Sequence, residues 1–332
     1  MKTIEDIARL ANVSKSTVSR ALNNNPLIKQ ETRDRIQAIA RENDFCLNQS
    51  ARSLSLRQSH TIAFVTHAYY SELYTVGDQF ALEIMGGISS GLFKLGYDML
   101  VIHINPRDSE WAHQYLDSGK VDGFVLMTST RKEYHVKALA KMNAPFIVWG
   151  FPSNDYDCCS VAGDDLKGGR LAGEHLIRTG RKRIAYLGGP SYEEEVKLRY
   201  KGFESAMQEA GISIDPRRVA YGDYTHSSGM TAMKQLLEQA PDLDAVFVNS
   251  DLMALGAIKV IQAMGKKVPE DVAVVGYDDL SIANYTNLPL TTIRQKIPLA
   301  GRLLAENLVQ FLQTGIVTHV TIPVELVVRE SA

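Results

Sequence analysis

Two charged side chains, Arg199 and Asp278, are placed where they could bind a small polar molecule. Arg199 lies in Lys-Leu-Arg-Tyr-Lys-Gly-Phe, at the start of a predicted helix that follows a strand and a Gly-Gly-Pro loop. Its guanidinium can donate two parallel hydrogen bonds to vicinal hydroxyls or to a carboxylate. Asp278 follows the most apolar strand of the second half of the chain, and its carboxylate can accept hydrogen bonds from sugar hydroxyls. The alternatives are a surface ion pair for Arg199 and a turn or cap for Asp278.

Other polar residues follow predicted strands in the same way. Asp251 comes after an apolar strand and begins a helix, so we expect it to cap that helix rather than to contact a ligand. The segment 68–79 follows the first predicted strand and contains three tyrosines. Such a loop either offers aromatic rings to a carbohydrate or is pinned by them to the body of the protein.

Enzymatic chemistry is not indicated. The sequence has no Gly-rich phosphate loop ending in Lys-Ser/Thr, no Gly-x-Ser-x-Gly elbow and no metal-spaced histidine cluster. Asp278 and Asp279 could serve as acid and base only if they faced the same way, and neighbouring residues that leave a strand usually do not. We expect no cofactor and no metal, because the three cysteines, Cys46, Cys158 and Cys159, lack metal-ligand spacing.

Residues 3–22 predict two short helices joined by a tight turn. Thr3 and Asp6 fit a capping box, and Ser14 fits the cap of the second helix. The second helix buries an apolar stripe and presents short polar and cationic side chains on the other face, with Ser16 and Arg20 central. This is the pattern of a helix-turn-helix that enters the DNA major groove, and the alternative is a helical hairpin with a solvated face.

The charge distribution supports a DNA-binding head. The whole chain of 332 residues has a formal net charge of -2, but residues 1–59 carry ten Lys or Arg against six Asp or Glu. A basic end on an acidic body is typical of a protein that contacts phosphates at one end. No run of eighteen apolar residues and no signal or transit peptide is present, so we expect a cytoplasmic protein without membrane contact.

From residue 61 onward, short apolar segments alternate with amphipathic helices, which predicts parallel sheets covered by helices on both faces. The strand count implies two such lobes, and ligands of open α/β sheets bind beyond the carboxyl ends of the strands. Strands are predicted at 62–66, 98–103, 123–127, 146–149, 160–162, 183–187, 219–221, 245–249 and 272–277. Helices are predicted at 80–95, 108–118, 166–179, 200–210, 227–240 and 251–264, after a third head helix at 32–43.

Residues 3–22, then Glu-Thr-Arg-Asp-Arg-Ile at 31–36 and Asn-Gln-Ser-Ala-Arg-Ser-Leu at 48–54, resemble the lactose repressor and galactose repressor family of bacterial transcription regulators. The similarity extends to the final Val-Glu-Leu-Val-Val-Arg-Glu-Ser. It implies an α/β protein with a three-helix head at 1–47, a hinge helix at 48–60 and a two-lobed, periplasmic-binding-protein-like body at 61–332. The first lobe is expected at 61–160 and 291–322, and the second at 161–290 and 323–332.

The resemblance also implies roles for individual residues. In the family the hinge helix pairs with its twin, and a leucine matching Leu54 wedges into the minor groove; docking of Leu54 on the body is the alternative. DNA contacts are expected from Thr3, Lys15, Ser16, Thr17, Ser19, Arg20, Asn23, Asn48, Ala51, Arg52 and Leu54, with Lys2, Arg33 and Arg52 placed for phosphates. Effector contacts are expected from Tyr69, Tyr74, Phe80, Glu195, Arg199, Tyr224, Ser250, Asp278 and Gln295. Many relatives carry Asn where this chain has Ser250, which suggests a different ligand preference.

The expected function is that of a homodimeric repressor of carbohydrate-use genes, which binds near-palindromic operator DNA and is released by a sugar. A regulator activated by a corepressor that is not a sugar is the first alternative. A stand-alone sugar receptor is the second, but it would need a signal peptide and would lack the basic head.

Overall fold

The computed structural model describes residues 3–45, 58–67, 79–105, 108, 110–127, 133–151 and 158–332. The chain divides into two compact units, Met1–Ser59 and His60–Ala332. The first unit is the head and the second is the body.

The head consists of α1 (Ile4–Leu10), α2 (Lys15–Leu22) and α3 (Gln30–Glu42). The predicted caps are confirmed: the Thr3 hydroxyl accepts from the Asp6 amide while the Asp6 carboxylate accepts from Thr3, and Ser14 caps α2. Between the two helices, Asn12 takes a left-handed conformation with φ of 51°, which an asparagine tolerates. The apolar stripes meet in one small core formed by Ile7, Ala8, Ala11, Val18, Ala21 and Ile36, with Phe45 packed against it as predicted.

The body contains two sheets, each with six strands among the described residues. The first is ordered β11-β5-β4-β3-β1-β2 and is formed by β1 (Thr61–His67), β2 (Asp98–Ile104), β3 (Gly123–Leu126), β4 (Phe146–Trp149), β5 (Cys159–Gly163) and β11 (His319–Ile322). The second is ordered β12-β10-β9-β8-β6-β7 and is formed by β6 (Ile184–Gly188), β7 (Val219–Tyr221), β8 (Ala245–Val248), β9 (Ala273–Asp278), β10 (Thr291–Arg294) and β12 (Glu325–Val327).

All strand pairs among the described residues are parallel except β10 with β12. The central strands are buried on both faces, because helices cover both sides of each sheet. These helices are α4 (Gln79–Leu95), α5 (Trp111–Leu116), α6 (Glu133–Lys141), α7 (Asp165–Arg178), α8 (Glu194–Glu209), α9 (His226–Gln239), α10 (Asp251–Ala263), α11 (Ser281–Asn284) and α12 (Ile297–Thr314). The predicted α/β class is confirmed.

The sheets move one approximate lobe boundary slightly and place the segment 291–294 in the other lobe. Strand β5 pairs with β4 and β11 along its length, so the first lobe extends to Gly163 rather than to residue 160. Strand β10 pairs with β9 and buries Ile293 in the second lobe, whereas the resemblance implies the first lobe for 291–294. The crossing comes later, after Gln295, and α12 then packs in the core of the first lobe. Sheet pairing, which local sequence does not specify, decides both boundaries.

Four of the body helices also differ from prediction. Helix α8 begins at Glu194, not at residue 200, because the acidic residues after the Gly-Gly-Pro loop form its first turn, where the helix dipole favours them. Arg199 therefore lies within the helix. Helices α6, α11 and α12 were not predicted.

Candidate functional site

Arg199 is held rigidly at the strand ends of the second lobe. It is 5% exposed, and its Nε donates to Asp165 Oδ1 at 2.7 Å while its Nη1 donates to the Asn249 carbonyl at 2.9 Å. Its guanidinium carbon lies 3.7 Å from the centre of the Tyr277 ring. Within the described residues Nη2 makes no hydrogen bond. The side chain is thus fixed at one end and keeps a donor for a ligand.

Asp165, the partner of Arg199, was not predicted from the sequence. It is the first residue of α7, is 3% exposed, and also accepts from the Tyr277 hydroxyl at 3.1 Å. Burial raises the pKa of Asp165, and the neighbouring Arg199 opposes that rise. The surface ion pair considered for Arg199 is therefore wrong: the pair is buried, and it fixes the guanidinium.

Close contact between α7 and α8 brings Asp165 and Arg199 together. The two helices touch through their backbones: a methyl group added at Gly202 would lie 1.9 Å from the Leu166 carbonyl oxygen, and one at Gly169 would lie 1.9 Å from the Arg199 oxygen. Only glycine allows this approach, so these glycines set the position of Arg199.

Replacing Gly202 by alanine should therefore destabilise the body by about 1–3 kcal/mol or more, because α7 and α8 must move apart. Thermal unfolding of the full chain measures the effect. Gly86→Ala is the matched control, because a methyl group there meets nothing within 4 Å and alanine favours the helix. Equal melting temperatures for the two variants would contradict this account of the crossing.

Asp278 ends β9 and is 7% exposed with φ of 114°. Its Oδ1 accepts from Gln295 Nε2 at 2.7 Å. Gln295 is 1% exposed and lies against Gly163, where the chain passes between the lobes; within the described residues its buried Oε1 has no hydrogen-bond partner. The structure thus brings Asp278 and Gln295 together at the crossing segments.

The next residue, Asp279, has a different task. Its carboxylate accepts from Arg294 Nε at 2.5 Å and from Arg329 Nη2 at 2.6 Å, and so ties the end of the chain to the second sheet. Asp278 and Asp279 therefore contact different partners, as expected for neighbours that leave a strand.

The capping role that the sequence predicts for Asp251 belongs to Ser250 in the structure. Ser250 is the cap of α10, with its hydroxyl accepting from the Met253 amide at 3.2 Å. Its predicted effector contact remains a prediction. Asp251 is fully buried and accepts from the Leu280 amide at 2.7 Å and the Thr292 hydroxyl at 2.6 Å. Burial raises the pKa of Asp251 strongly, and nearby Asp278 adds to the rise. Asp251 fastens the loop that carries Asp278.

Asn249 was not among the predicted site residues. It ends the apolar segment Ala-Val-Phe-Val and is fully buried. Its Oδ1 accepts from the Tyr186 hydroxyl at 2.8 Å, and its Nδ2 has no partner among the described residues. Its place directly after a buried strand is a sequence feature that could have identified Asn249 as a site residue. Many relatives carry their asparagine one position later, at the position of Ser250, which drew attention away from Asn249.

Tyr224 and Glu195, both predicted effector contacts, lie near Arg199 in the second lobe. Tyr224 has φ of 70°, its ring lies against Gly189, and burial raises its pKa well above the ordinary tyrosine value. Glu193, Glu195 and Asp165 are close enough to add to that rise. Glu195 lies in the first turn of α8 and is 5% exposed.

The first lobe contributes α4 to this region. The ring of Phe80 lies 5.8 Å from that of Trp149, and Glu83 Oε1 accepts from the Ser281 amide of the second lobe at 3.0 Å. Leu280, next to Ser281, packs in the core of the first lobe. Tyr69 and Tyr74 lie outside the described residues, so their predicted contacts remain predictions.

In the head, the predicted DNA-contacting side chains lie on α2 and beside it. Lys15, Ser16 and Arg20 are exposed, while Thr17 and Ser19 are partly buried. The Thr17 and Ser16 hydroxyls each lie 2.8 Å from the Ser14 hydroxyl. Asn23 caps the end of α2, and Thr3 caps the start of α1. Lys2, Asn48, Ala51, Arg52 and Leu54 are outside the described residues.

Arg33, a predicted phosphate contact, donates from Nη2 to the carbonyls of Asn25 and Ile28 at 3.2 and 3.0 Å. It holds the loop between α2 and α3, a structural task that its place in the sequence did not reveal.

Within the part of the chain that the structure describes, no helix is long and apolar enough to span a membrane. The same residues hold no group of three or more His, Cys, Asp or Glu arranged to bind a metal. Cys158 and Cys159 are both buried.

Two family models match the chain: "Bacterial regulatory proteins, lacI family" at residues 3–48 and "Periplasmic binding protein-like domain" at residues 174–332. The HTH-type transcriptional regulator CelR of Thermobifida fusca is 36% identical over 335 residues, covering 99% of this chain and 98% of the relative. The ribose operon repressor of Escherichia coli (strain K12) is 31% identical, covering 93% of this chain and 92% of the relative.

Two solved structures of transcription regulators match nearly the whole chain. A transcriptional regulator CelR-cellobiose complex superposes with a TM-score of 0.76 at 33% identity, covering 100% of both chains. The lac repressor dimer bound to operator and the anti-inducer ONPF superposes with a TM-score of 0.84 at 29% identity, covering 99% of this chain and 98% of the other. The predicted family is confirmed: this chain belongs to the lacI family of bacterial regulatory proteins and is a DNA-binding regulator of transcription.

Proposed function

We propose that the protein is a homodimeric repressor that binds a near-palindromic operator through α2 and is released when a sugar binds at the strand ends of the second lobe. The observation that carries the proposal is a set of polar atoms at the ends of β8 and β10 and on α8. Asn249 Nδ2 and Gln295 Oε1 are buried without a partner among the described residues, and Arg199 Nη2 makes no hydrogen bond to them. Buried polar atoms need hydrogen bonds, so a polar ligand would satisfy them.

A sugar fits this set better than an apolar ligand does. Adjacent hydroxyls can accept from Arg199 and Asn249 while donating to Asp278 and Gln295, because a hydroxyl both donates and accepts. The Tyr224 ring offers an apolar face against which a sugar ring can stack. The cellobiose named for one solved relative and the ribose named for another point to the same ligand class.

The acidic residues near Arg199 favour a neutral sugar over a sugar phosphate or a uronate. Asp165 and Asp278 both act electrostatically on Arg199, and Asp165 already engages its charge. A second anion would meet these carboxylates in a region of low dielectric, where like charges repel strongly.

The test is a thermal-shift screen of the purified full chain against neutral mono- and disaccharides, including cellobiose and ribose, beside their phosphorylated or acidic counterparts. A stabilising neutral sugar supports the proposal. Fluorescence anisotropy on operator DNA then shows whether the sugar lowers or raises operator affinity. Weaker binding with the sugar indicates an inducer, whereas tighter binding would replace the proposal by a corepressor mechanism. The operator is obtained by selecting tight-binding duplexes from a random pool.

If α2 recognises the operator, Arg20 on that helix should contribute to sequence-specific binding. An exposed arginine on a recognition helix contacts base edges, so Arg20→Ala should weaken operator binding by about 1–3 kcal/mol per half-site and change binding to random DNA little. Anisotropy on both duplexes measures this.

Arg41→Ala, which removes the same charge from α3, is the control and should leave the ratio of the two affinities unchanged. An equal loss on operator and random DNA for Arg20→Ala would place this residue among the phosphate contacts instead.

A further inference from the structure

An ion pair joins the first two helices of the head at the face predicted to meet DNA. Lys15 is the first residue of α2, and its Nζ contacts Glu5 Oε1 on α1. The side chains are 60% and 50% exposed, so the pair lies at the surface. The hydrogen bond from Lys15 lowers the pKa of Glu5, which therefore carries its charge at neutral pH.

Glu5 is not needed to build the head. The capping box of α1 uses Thr3 and Asp6, and Asp6 also binds Arg9. The cap of α2 uses Ser14. Glu5 also lies in the first turn of α1, where the helix dipole favours an acidic residue. Since exposed ion pairs contribute little to stability, the main effect of its carboxylate is to position Lys15.

Its location matters for DNA because residues at the start of a recognition helix approach base edges. A lysine there can bind any phosphate, which adds affinity without sequence preference. A carboxylate beside it repels phosphates and accepts only from a donor. In the major groove a G·C pair offers both partners, since guanine O6 and N7 accept from lysine and cytosine N4 donates to glutamate.

We propose that Glu5 is a specificity-determining residue of the head, which withholds Lys15 from phosphates and directs the Lys15–Glu5 pair to a G·C base pair in each half-site. The inference rests on the proposed role of α2 in recognition.

The test compares the full-length wild type with Glu5→Gln. The variant should bind a random-sequence duplex several-fold more tightly, because Lys15 is free to bind a phosphate. The slope of log affinity against log salt should become steeper by about 0.9 for each additional phosphate that the protein neutralises. The ratio of operator to random affinity should fall about fivefold or more, and selection from a random pool should lose one G·C preference per half-site.

Two controls separate this effect from a general change of charge. Glu42→Gln on α3 makes the same change in net charge without releasing a lysine and should leave the salt slope unchanged. In a Lys15→Gln background, Glu5→Gln should no longer steepen the slope. Circular-dichroism melting checks that each variant is folded.

The proposal is overturned if Glu5→Gln and Glu42→Gln behave alike, or if the Glu5→Gln effect persists without Lys15. Failure of the proposed role of α2 in DNA recognition can be distinguished from failure of the proposal for Glu5. If Arg20→Ala leaves operator binding unchanged, then α2 is not the recognition helix, whatever Glu5 does.

Discussion

Asp278→Asn should bind operator DNA as the wild type does when no ligand is present, yet respond weakly or not at all to the sugar that releases the wild type. The substitution keeps the size of the side chain and suits the positive φ of 114°, which alanine tolerates poorly. It removes the charged acceptor, and hydrogen bonds to charged groups contribute about 1.5–3 kcal/mol. Ligand affinity should therefore fall about 10- to 150-fold.

The neighbouring Asp279→Asn is the matched control. Asp279 binds Arg294 and Arg329, so its loss should lower the melting temperature while the response to sugar persists. A normal sugar response in Asp278→Asn, measured by anisotropy titration, would show that the ligand binds elsewhere.

Arg199→Met should destabilise the body by about 3–5 kcal/mol, because it leaves the buried Asp165 without its counter-charge. Thermal and urea unfolding measure the loss. Asp165→Asn in the same chain should recover part of the stability, since it removes the unpaired charge, but it should not recover sugar binding. If Arg199→Met alone were as stable as the wild type, the buried Arg199–Asp165 pair would not stabilise the body.

The Arg199→Met deficit should also depend on pH. Burial raises the pKa of Asp165 above its unfolded value, and Arg199 no longer opposes the rise in the variant. The folded variant then binds more protons than the unfolded chain, so stability is retained at low pH and is lost as pH rises through the folded pKa. The deficit relative to the wild type should be smaller at pH 5 than at pH 8.

Sequence patterns predicted the elements of the fold and two central residues of the site. Arg199 and Asp278 were identifiable because each follows an apolar strand. Asp165 was not, since it lies 34 positions from Arg199 and meets it only where α7 and α8 cross. Ser250 and Asp251 have similar capping preferences, so only the backbone decides which one caps α10. Strand β10 was misplaced because its pairing with β9 is a tertiary contact.

Control of DNA binding requires that the ligand prefer one arrangement of the lobes. The Glu83 contact with the Ser281 amide and the packing of Leu280 join the lobes in the structure, and Asp251 ties Leu280 to the loop that carries Asp278. A ligand at Asp278 can therefore act on the contact between the lobes. The predicted hinge at 48–60, including Leu54, would carry that change to the head.

The most direct measurement is an anisotropy titration of the full-length wild type bound to its selected operator, with the sugar found in the thermal-shift screen. Couplings between effector and DNA sites are typically about 1–3 kcal/mol, so operator affinity should fall about 5- to 150-fold at saturating sugar. Asp278→Asn should show a much smaller fall, or none, at the same concentration. If a sugar that binds the wild type left its operator affinity unchanged, the proposed control of DNA binding by the second-lobe site would be contradicted.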